Sequence, residues 1–228
     1  MWFISFIFGS VIGSFLCLIA ERVPLRKSIL TPASQCSYCK TKLLFFELIP
    51  IIAILLLRFR CRHCKHKLSV SYFFSELICG FLFTITSFND ANSMYILFFL
   101  LTAFTLTLTD IFYLIVEPKI FYPFAVLVCL AHYSLGLPIH LFTGTFLFVS
   151  LFSFNFILPN SIGGGDILLV TLWGILLGNT SLIILLFVSS SSALLFLIFF
   201  RFIFGKKIQQ LPFVPFLSFG LFFVLFCI

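Results

Sequence analysis

The chain has 228 residues, of which 62% are hydrophobic and 9% charged, and its mean hydropathy is +1.25. This composition is too apolar for a soluble globular domain and indicates an integral membrane protein. The net charge of +7 does not predict nucleic-acid binding, because the distribution of the basic residues is better explained by membrane topology.

Apolar runs recur along almost the whole chain, each near the roughly 20 residues that cross a bilayer as a helix. They lack the strict alternation of membrane β-strands, so we predict an all-α polytopic membrane protein with about eight transmembrane helices. The first run, Met1 to Ala20, has no basic residue before Arg22 and no small-residue cleavage site, so it is predicted to be a retained span. The predicted spans cover residues 2–20, 72–88, 93–109, 120–136, 139–158, 166–178, 180–202 and 211–228.

The basic residues orient these spans. Ten of the 14 lie between Arg22 and Lys67, and the others are Lys119, Arg201, Lys206 and Lys207. If the N-terminus is outside, the outer loops around residues 89–93, 133–140 and 178–180 contain no Lys or Arg, which is the bias of the positive-inside rule. This topology places Asp110 and Asp166 at the same, cytoplasmic, face.

Two C-x2-C motifs lie between the first two spans, at Cys36 and Cys39 and at Cys61 and Cys64. Four thiolates from two tight turns form the donor set of a structural zinc site. Disulfides are the competing interpretation, but a basic cytoplasmic segment lies in a reducing compartment, which favours metal. His63 and His66 are alternative ligands or solvated loop residues. The other cysteines, which lie within spans, are predicted to be packing residues: Cys17, Cys79, Cys129 and Cys227.

The segment between the two cysteine motifs, Leu43 to Leu57, is apolar enough to suggest a further span. A single crossing would put the two motifs on opposite sides of the membrane, which is incompatible with one shared metal. With Glu47 and Pro50 inside it, the segment is predicted to form an interfacial or re-entrant helix. The zinc ion would then stabilise a small cytoplasmic domain, residues 21–71.

Three glycines, Gly163, Gly164 and Gly165, precede Asp166. They are predicted to allow close backbone approach and unusual φ values beside the carboxylate. Two aspartates at one membrane face can share a proton, so that one activates water and the other polarises a peptide carbonyl. Each aspartate alone could be a helix-end residue meeting water, and Asp166 could favour a helix N-terminus through the dipole.

Other catalytic arrangements are weaker. The serines from Ser189 to Ser192 lie within a span without a nearby His or Asp and are predicted to serve helix packing. His132 and His140 are expected near the outer face, away from the aspartates. A transporter that relays protons through membrane carboxylates and a non-catalytic, zinc-stabilised assembly protein are the non-enzymatic alternatives.

Several motifs together resemble the bacterial type IV prepilin peptidases, which belong to the membrane aspartyl proteases with a G-x-G-D motif. The resemblance runs nearly from end to end. Its segments are Gly13-Ser14-Phe15-Leu16 with Arg22-Val23-Pro24, the two cysteine motifs, Glu47-Leu48-Ile49-Pro50, Ser69-Val70-Ser71-Tyr72 with Glu76, Asp110, Gly163-Gly164-Gly165-Asp166, and Leu211-Pro212-Phe213-Val214-Pro215-Phe216.

The resemblance implies a peptidase in the bacterial inner membrane that removes the basic leader of prepilins or pseudopilins at the cytoplasmic face. These are the substrates of type IV pilus and type II secretion systems. It implies Asp110 and Asp166 as the catalytic pair in a peptidase domain, residues 72–228, behind a first helix, residues 1–20. It also implies N-methylation of the new N-terminus with S-adenosylmethionine, with Glu21, Glu47 and Glu76 as candidate methyltransferase residues. A related G-x-G-D protease acting within transmembrane helices is the enzymatic alternative.

The chain departs from the family pattern at several positions. Cys17 and Glu21 stand where the family usually has Asn and an aromatic or polar residue, and Ser71 and Phe73 replace an Arg and a Pro. Glu117-Pro118 replaces the usual Pro-Asp order after the first catalytic aspartate.

Overall fold

The computed structural model of the chain describes residues 2–31, 34–36, 38–86, 90–159, 161–205 and 210–227. This part of the chain is all-helical and contains no β-strand beyond two isolated bridges. A short 3₁₀-helix covers Phe45–Leu48. The α-helices are α1 (Trp2–Arg22), α2 (Ile52–Leu56), α3 (Val70–Ile85), α4 (Ala91–Tyr113), α5 (Pro118–Ser134), α6 (Leu141–Ile157), α7 (Gly164–Phe204) and α8 (Val214–Cys227).

Three of the described helices, α1, α4 and α7, are long and apolar enough to cross a bilayer. Three more, α3, α6 and α8, are apolar but have fewer than 18 residues. The chain is therefore an all-helical membrane protein, as the composition predicts. Lys206 and Lys207, which contribute to the predicted topology, lie outside the described residues.

Helix α7 contains a break at Gly178, whose φ of 77° and ψ of 177° are not helical. This backbone conformation strains residues with a side chain, and the ring of His140 fills the space that a Cβ would need. The N–H of His140 donates to the carbonyl of Ile175 at 2.9 Å, so an otherwise unpaired carbonyl before the break is satisfied. The predicted boundary between the sixth and seventh spans coincides with this break.

The chain divides into two compact units, Met1–Leu97 and Phe98–Ile228. In the first unit, α1 packs against α3 through small residues spaced four apart on one face of α1. A Cβ at Gly9 would lie 2.6 Å from the Cys79 carbonyl oxygen, and one at Gly13 would lie 2.8 Å from the Cys79 Cβ. Glycine at both positions lets the two helix backbones approach closely, as in many membrane helix pairs.

Leucine at position 13 is expected to separate α1 from α3 and to destabilise the purified protein by about 1–3 kcal/mol, because the backbone of α3 leaves no room for a side chain. Thermal unfolding in detergent measures the loss. Val11→Leu is the matched control, since Val11 is exposed on the same helix. If Gly13→Leu unfolds at the same temperature as Val11→Leu, this packing does not hold the two helices together.

In the second unit, small residues again mark the close helix contacts. Gly144 on α6 packs against Ile175 of α7, and Gly220 on α8 packs against Ser189 of α7. Ser189 is buried and donates its hydroxyl hydrogen to the carbonyl of Leu185. The predicted packing role of this serine is confirmed, because its small side chain and satisfied hydroxyl let α8 approach.

The segment from Leu43 to Leu57 does not form the single helix that its apolar sequence predicts. It contains the 3₁₀-helix and the five-residue α2, separated by a tight turn at Ile51. Ile51 has φ 63° and ψ −54°, and the N–H of Ile52 donates to the carbonyl of Pro50 at 2.6 Å, which defines a γ-turn of the rare, strained type. The proline and this turn separate the 3₁₀-helix from α2, and positive φ angles at Arg58 and Phe59 follow the end of α2.

Candidate functional site

Asp110 and Asp166 line the same cavity, which has a volume of about 810 Å³. Asp110 lies in the last turn of α4 and Asp166 in the first turn of α7. Most of the wall is apolar, and polar side chains of Tyr113, Ser161 and Gln210 contribute to it. The apolar wall includes Leu114, Leu147, Leu151, Ile162, Ile167, Val170, Leu186, Leu211 and Phe213. The fold thus brings the two predicted carboxylates to one space, as the charge-derived topology requires.

The start of α8 holds Asp110 in place. The N–H of Val214 donates to Oδ2 of Asp110 at 2.9 Å, and only 6% of the Asp110 surface is exposed. Val214 is the first residue of α8, whose N–H has no partner within the helix, so Asp110 satisfies a donor that would otherwise be unpaired. Neither Pro212 nor Pro215 has a backbone N–H, which leaves few donors at this end. This proline-containing segment is one of the motifs that resemble the family, but its sequence alone does not predict a contact with Asp110.

The three glycines before Asp166 have different surroundings. A Cβ at Gly165 would lie 2.5 Å from the Cβ of Val116, so this glycine is required for close packing. Gly163 precedes the first turn of α7, and its carbonyl accepts from the N–H of Asp166 at 3.0 Å. Gly164 faces open space. The expected close approach is therefore found at Gly165.

The expected unusual φ values are not found in this glycine run. The φ of Gly163 is −62°, and the described glycines with positive φ are Gly136, Gly178 and Gly205. The glycine run opens a regular helix, so glycine is needed at position 165 because of neighbouring atoms and not because of the backbone conformation.

Asn155, near the end of α6, organises the loop that leads to Asp166. Its Oδ1 accepts from the N–H of Ile162 at 3.4 Å and from the hydroxyl of Ser161 at 3.5 Å. Asn155 was not among the predicted site residues, although a lone amide in the apolar run of α6 indicates a structural or functional role.

The arrangement is suited to acid–base chemistry on a bound peptide. Asp110 and Asp166 line one cavity, and two carboxylates that share a confined space favour one shared proton, because like charges resist double ionisation. The ionised carboxylate can then accept a proton from water while the protonated one donates a hydrogen bond. The imidazole of His132 contacts the Pro138 carbonyl and that of His140 packs on Gly178, so neither histidine lines the cavity.

The first unit brings together Cys36, Cys39, Cys61 and Cys64, whose Sγ atoms all lie within 4.8 Å of one another. Sγ of Cys36 is 3.7 Å from that of Cys64, and Sγ of Cys39 is 3.9 Å from that of Cys61. Zn–S bonds of about 2.3 Å in a tetrahedron place sulfurs about 3.8 Å apart. The four thiols and the distances between them therefore fit zinc. The same Sγ–Sγ distances are too long for disulfide bonds.

The two cysteine motifs have the same local fold. An isolated bridge pairs Gln35 with Lys42 in the first and Arg60 with Lys67 in the second. In each motif the residue after the second cysteine, Lys40 or Lys65, has positive φ and donates its N–H to the carbonyl of the first cysteine at 3.0 Å. Each tight turn directs two thiols to one side, which is why the four can converge.

Hydrogen bonds from Thr41 lower the pKa of Cys39 to about 6, which favours the thiolate form that binds metal. His66 does not join the four sulfurs: its ring stacks on Tyr38 with centroids 4.6 Å apart and an interplanar angle of 7°. His63 is exposed. The structure thus places the four cysteines together and both histidines outside the cluster.

The three candidate glutamates have different partners. Glu21 accepts from the hydroxyl of Tyr72 at 2.7 Å, and Glu76 accepts from the N–H of Ile51 at 2.6 Å. Glu47 accepts from the N–H of Leu44 at 2.8 Å through Oε2, whereas its Oε1 is buried and has no hydrogen-bond partner. Glu47 therefore differs from the other two in having an unsatisfied carboxylate oxygen.

Two family models match the chain. The model of the bacterial peptidase A24 N-terminal domain matches residues 7–89, and the model of the type IV leader peptidase family matches residues 94–200. No solved structure matches the chain.

Among curated proteins, the chain is similar to prepilin leader peptidase/N-methyltransferases. It is 31% identical to the protein of Bacillus subtilis over 188 residues, covering 77% of this chain and 73% of the relative. It is 29% identical to that of Vibrio cholerae over 188 residues, covering 74% of each chain. A shorter match to the Myxococcus xanthus protein is 45% identical over 78 residues, covering 34% of this chain and 23% of the relative.

Proposed function

Because this chain belongs to the type IV leader peptidase family, we propose that it removes the leader of prepilins or pseudopilins with Asp110 and Asp166 as its catalytic pair. The main support for these two residues is that they line the same cavity. Their carboxylates come from distant parts of the sequence, and the rest of the cavity wall is largely apolar. Burial in such a space strengthens their effect on a bound peptide, since less water competes for the charges.

Hydrolysis at this pair needs neither a metal nor a covalent intermediate. The ionised aspartate removes a proton from water, whose oxygen attacks the scissile carbonyl carbon. The protonated aspartate hydrogen-bonds to the carbonyl oxygen and stabilises the charge that develops there. When the C–N bond breaks, the aspartate that accepted the water proton passes it to the leaving nitrogen, and the new N-terminal amine is released with the mature protein.

The proposed topology has about eight spans, with the catalytic pair and the cysteine domain on the cytoplasmic side of the bacterial inner membrane. Helices α1, α3, α4, α5, α6 and α8 support this number when α7 is counted as two segments across the break at Gly178. The basic residues between Arg22 and Lys67 support the orientation. We assign residues 1–20 to the first helix, 21–71 to the zinc-binding domain and 72–228 to the peptidase domain.

We also propose that the chain methylates the new N-terminus, the second activity in the names of its relatives. S-adenosylmethionine supplies the methyl group when bound. Among Glu21, Glu47 and Glu76, the unsatisfied Oε1 of Glu47 is the best acceptor for an ammonium or sulfonium cation, because an unpaired buried carboxylate oxygen is costly. Zinc, held by the four cysteines, stabilises this domain and takes no part in either reaction.

The test is mass spectrometry of a prepilin co-expressed with the wild-type chain or with the Asp110→Asn/Asp166→Asn double variant. Leader loss and methyl addition are separate mass changes. We expect both changes with the wild type and neither with the double variant, since the methylated amine exists only after cleavage. Leader loss with the double variant at the wild-type rate would disprove the catalytic assignment.

A further inference from the structure

An apolar surface lies on the segment between the cysteine motifs. Seven of its large apolar side chains are at least 40% exposed, and we call them the apolar patch: Leu44, Phe46, Leu48, Ile49, Ile52, Leu55 and Leu56. Ile52, Leu55 and Leu56 are spaced so that they share one face of α2. Glu47 and Ala53, in contrast, are buried. The segment is therefore amphipathic, with an apolar outer face.

Basic side chains border this patch. Arg58, Arg60 and Arg62 follow α2 and are exposed. The guanidinium carbon of Arg62 lies 5.4 Å from the centre of the Phe46 ring, so a cation sits directly on a member of the patch. Between residues 38 and 68 the only acidic residue is Glu47, which is buried, so the exposed surface has positive charges without compensation.

A hydrogen bond ties the segment that bears the patch to α3. The N–H of Ile51, in the turn between the two short helices, donates to Glu76 of α3. Glu76 is six residues past Val70, where α3 begins, which corresponds to a depth of about 9 Å along the helix. Since α3 is an apolar helix of a membrane protein, this contact keeps the segment near the level at which α3 enters the bilayer.

We propose that the apolar patch inserts into the interface of a bilayer that contains anionic phospholipid, with Arg58, Arg60 and Arg62 contacting the lipid phosphates. The apolar side chains gain from leaving water, and the arginines gain from the negative surface potential. The lipid surface thereby covers the outer face of the segment while Glu76 holds its inner face. This inference depends on the chain being a membrane protein and does not depend on the proposed peptidase activity.

The experiment uses the full chain in nanodiscs whose lipid chains are brominated, so that a tryptophan within the acyl region is quenched. Leu56→Trp places the probe in the patch at a position that is 78% exposed. Tyr38→Trp is the matched control, 71% exposed in the first cysteine motif and outside the patch. The wild-type emission from Trp2 and Trp173 is subtracted from both.

We expect strong quenching of the probe at position 56 in discs of phosphatidylglycerol and little at position 38. Adding Arg62→Gln to Leu56→Trp should shift the equilibrium between inserted and free segment by about fivefold toward the free form, because each basic residue near an anionic surface contributes such a factor. Equal quenching at positions 56 and 38 would overturn the proposal. Equal quenching of the position 56 probe in phosphatidylcholine discs would also overturn the proposal, because neutral lipid would then suffice. A change in the emission of this probe that appears only when a prepilin is added would overturn it as well, and would indicate that the patch binds substrate.

Discussion

Asp166→Asn is expected to lower the rate of leader cleavage by roughly a thousandfold or more, because the pair can no longer exchange a proton between base and acid roles. Asp110→Asn should have an effect of the same size. The double variant should be scarcely slower than either single variant, since the two carboxylates act as one unit. Cleavage of a purified prepilin in detergent, followed with time, measures all three rates.

Asp90→Asn is the control for this series, because Asp90 is an exposed acid just before the opposite end of α4. It should cleave at the wild-type rate. If the two substitutions acted independently, the fold reduction in the cleavage rate of the double variant would equal the product of the two single fold reductions. That result would contradict the shared-proton mechanism. So would a single Asn variant that retains most of the activity.

The same series separates catalysis from folding at Asp110. Asparagine retains a carbonyl oxygen that can accept from the N–H of Val214, whereas Asp110→Ala leaves that N–H without its partner in a buried place. An unsatisfied buried donor costs about 1–3 kcal/mol. Asp110→Ala should therefore unfold at a lower temperature than Asp110→Asn, although both are inactive. Equal unfolding temperatures would show that the contact with α8 contributes little.

The sequence predicted what depends on composition and spacing. Apolar runs located the helices, and the loop predicted at residues 178–180 includes Gly178, where α7 breaks. Glycine suits this position because few other residues adopt its φ of 77°. The repeated C-x2-C spacing predicted a convergent donor set, since each motif is a local turn whose geometry depends on only a few neighbouring residues.

Features that depend on tertiary contacts were not predicted. The partner of Asp110 is 104 residues away in sequence, and nothing in either segment alone indicates that they meet. The need for glycine at position 165 comes from Val116, on a different part of the chain. The apolar segment from Leu43 to Leu57 has the composition of a helix, but the turn at Ile51 is stabilised from outside by Glu76. In each case a distant group decides the local structure.

Removing one thiol of the cysteine cluster should strongly reduce both metal binding and the stability of the surrounding domain. Cys36→Ser is expected to lower zinc affinity by several orders of magnitude and to unfold the region from residue 34 to 68, because metal binding supplies much of the folding free energy of such small domains. Metal analysis of the purified protein and hydrogen exchange of its backbone amides measure the two effects. Cys227→Ser is the control, since Cys227 is an exposed cysteine outside the cluster.

The consequences for activity should differ between the two reactions. The cavity with Asp110 and Asp166 is built from residues of the second unit, whereas the four cysteines and Glu47 belong to the first. We therefore expect the Cys36→Ser variant to keep leader cleavage within a few fold of the wild type and to lose methylation, which depends on an ordered zinc-binding domain. Full metal content or unchanged amide protection in Cys36→Ser would show that the cluster is not a structural metal site. Loss of cleavage together with methylation, in a variant whose helices remain folded, would instead show that the peptidase needs the zinc-binding domain to position its substrate.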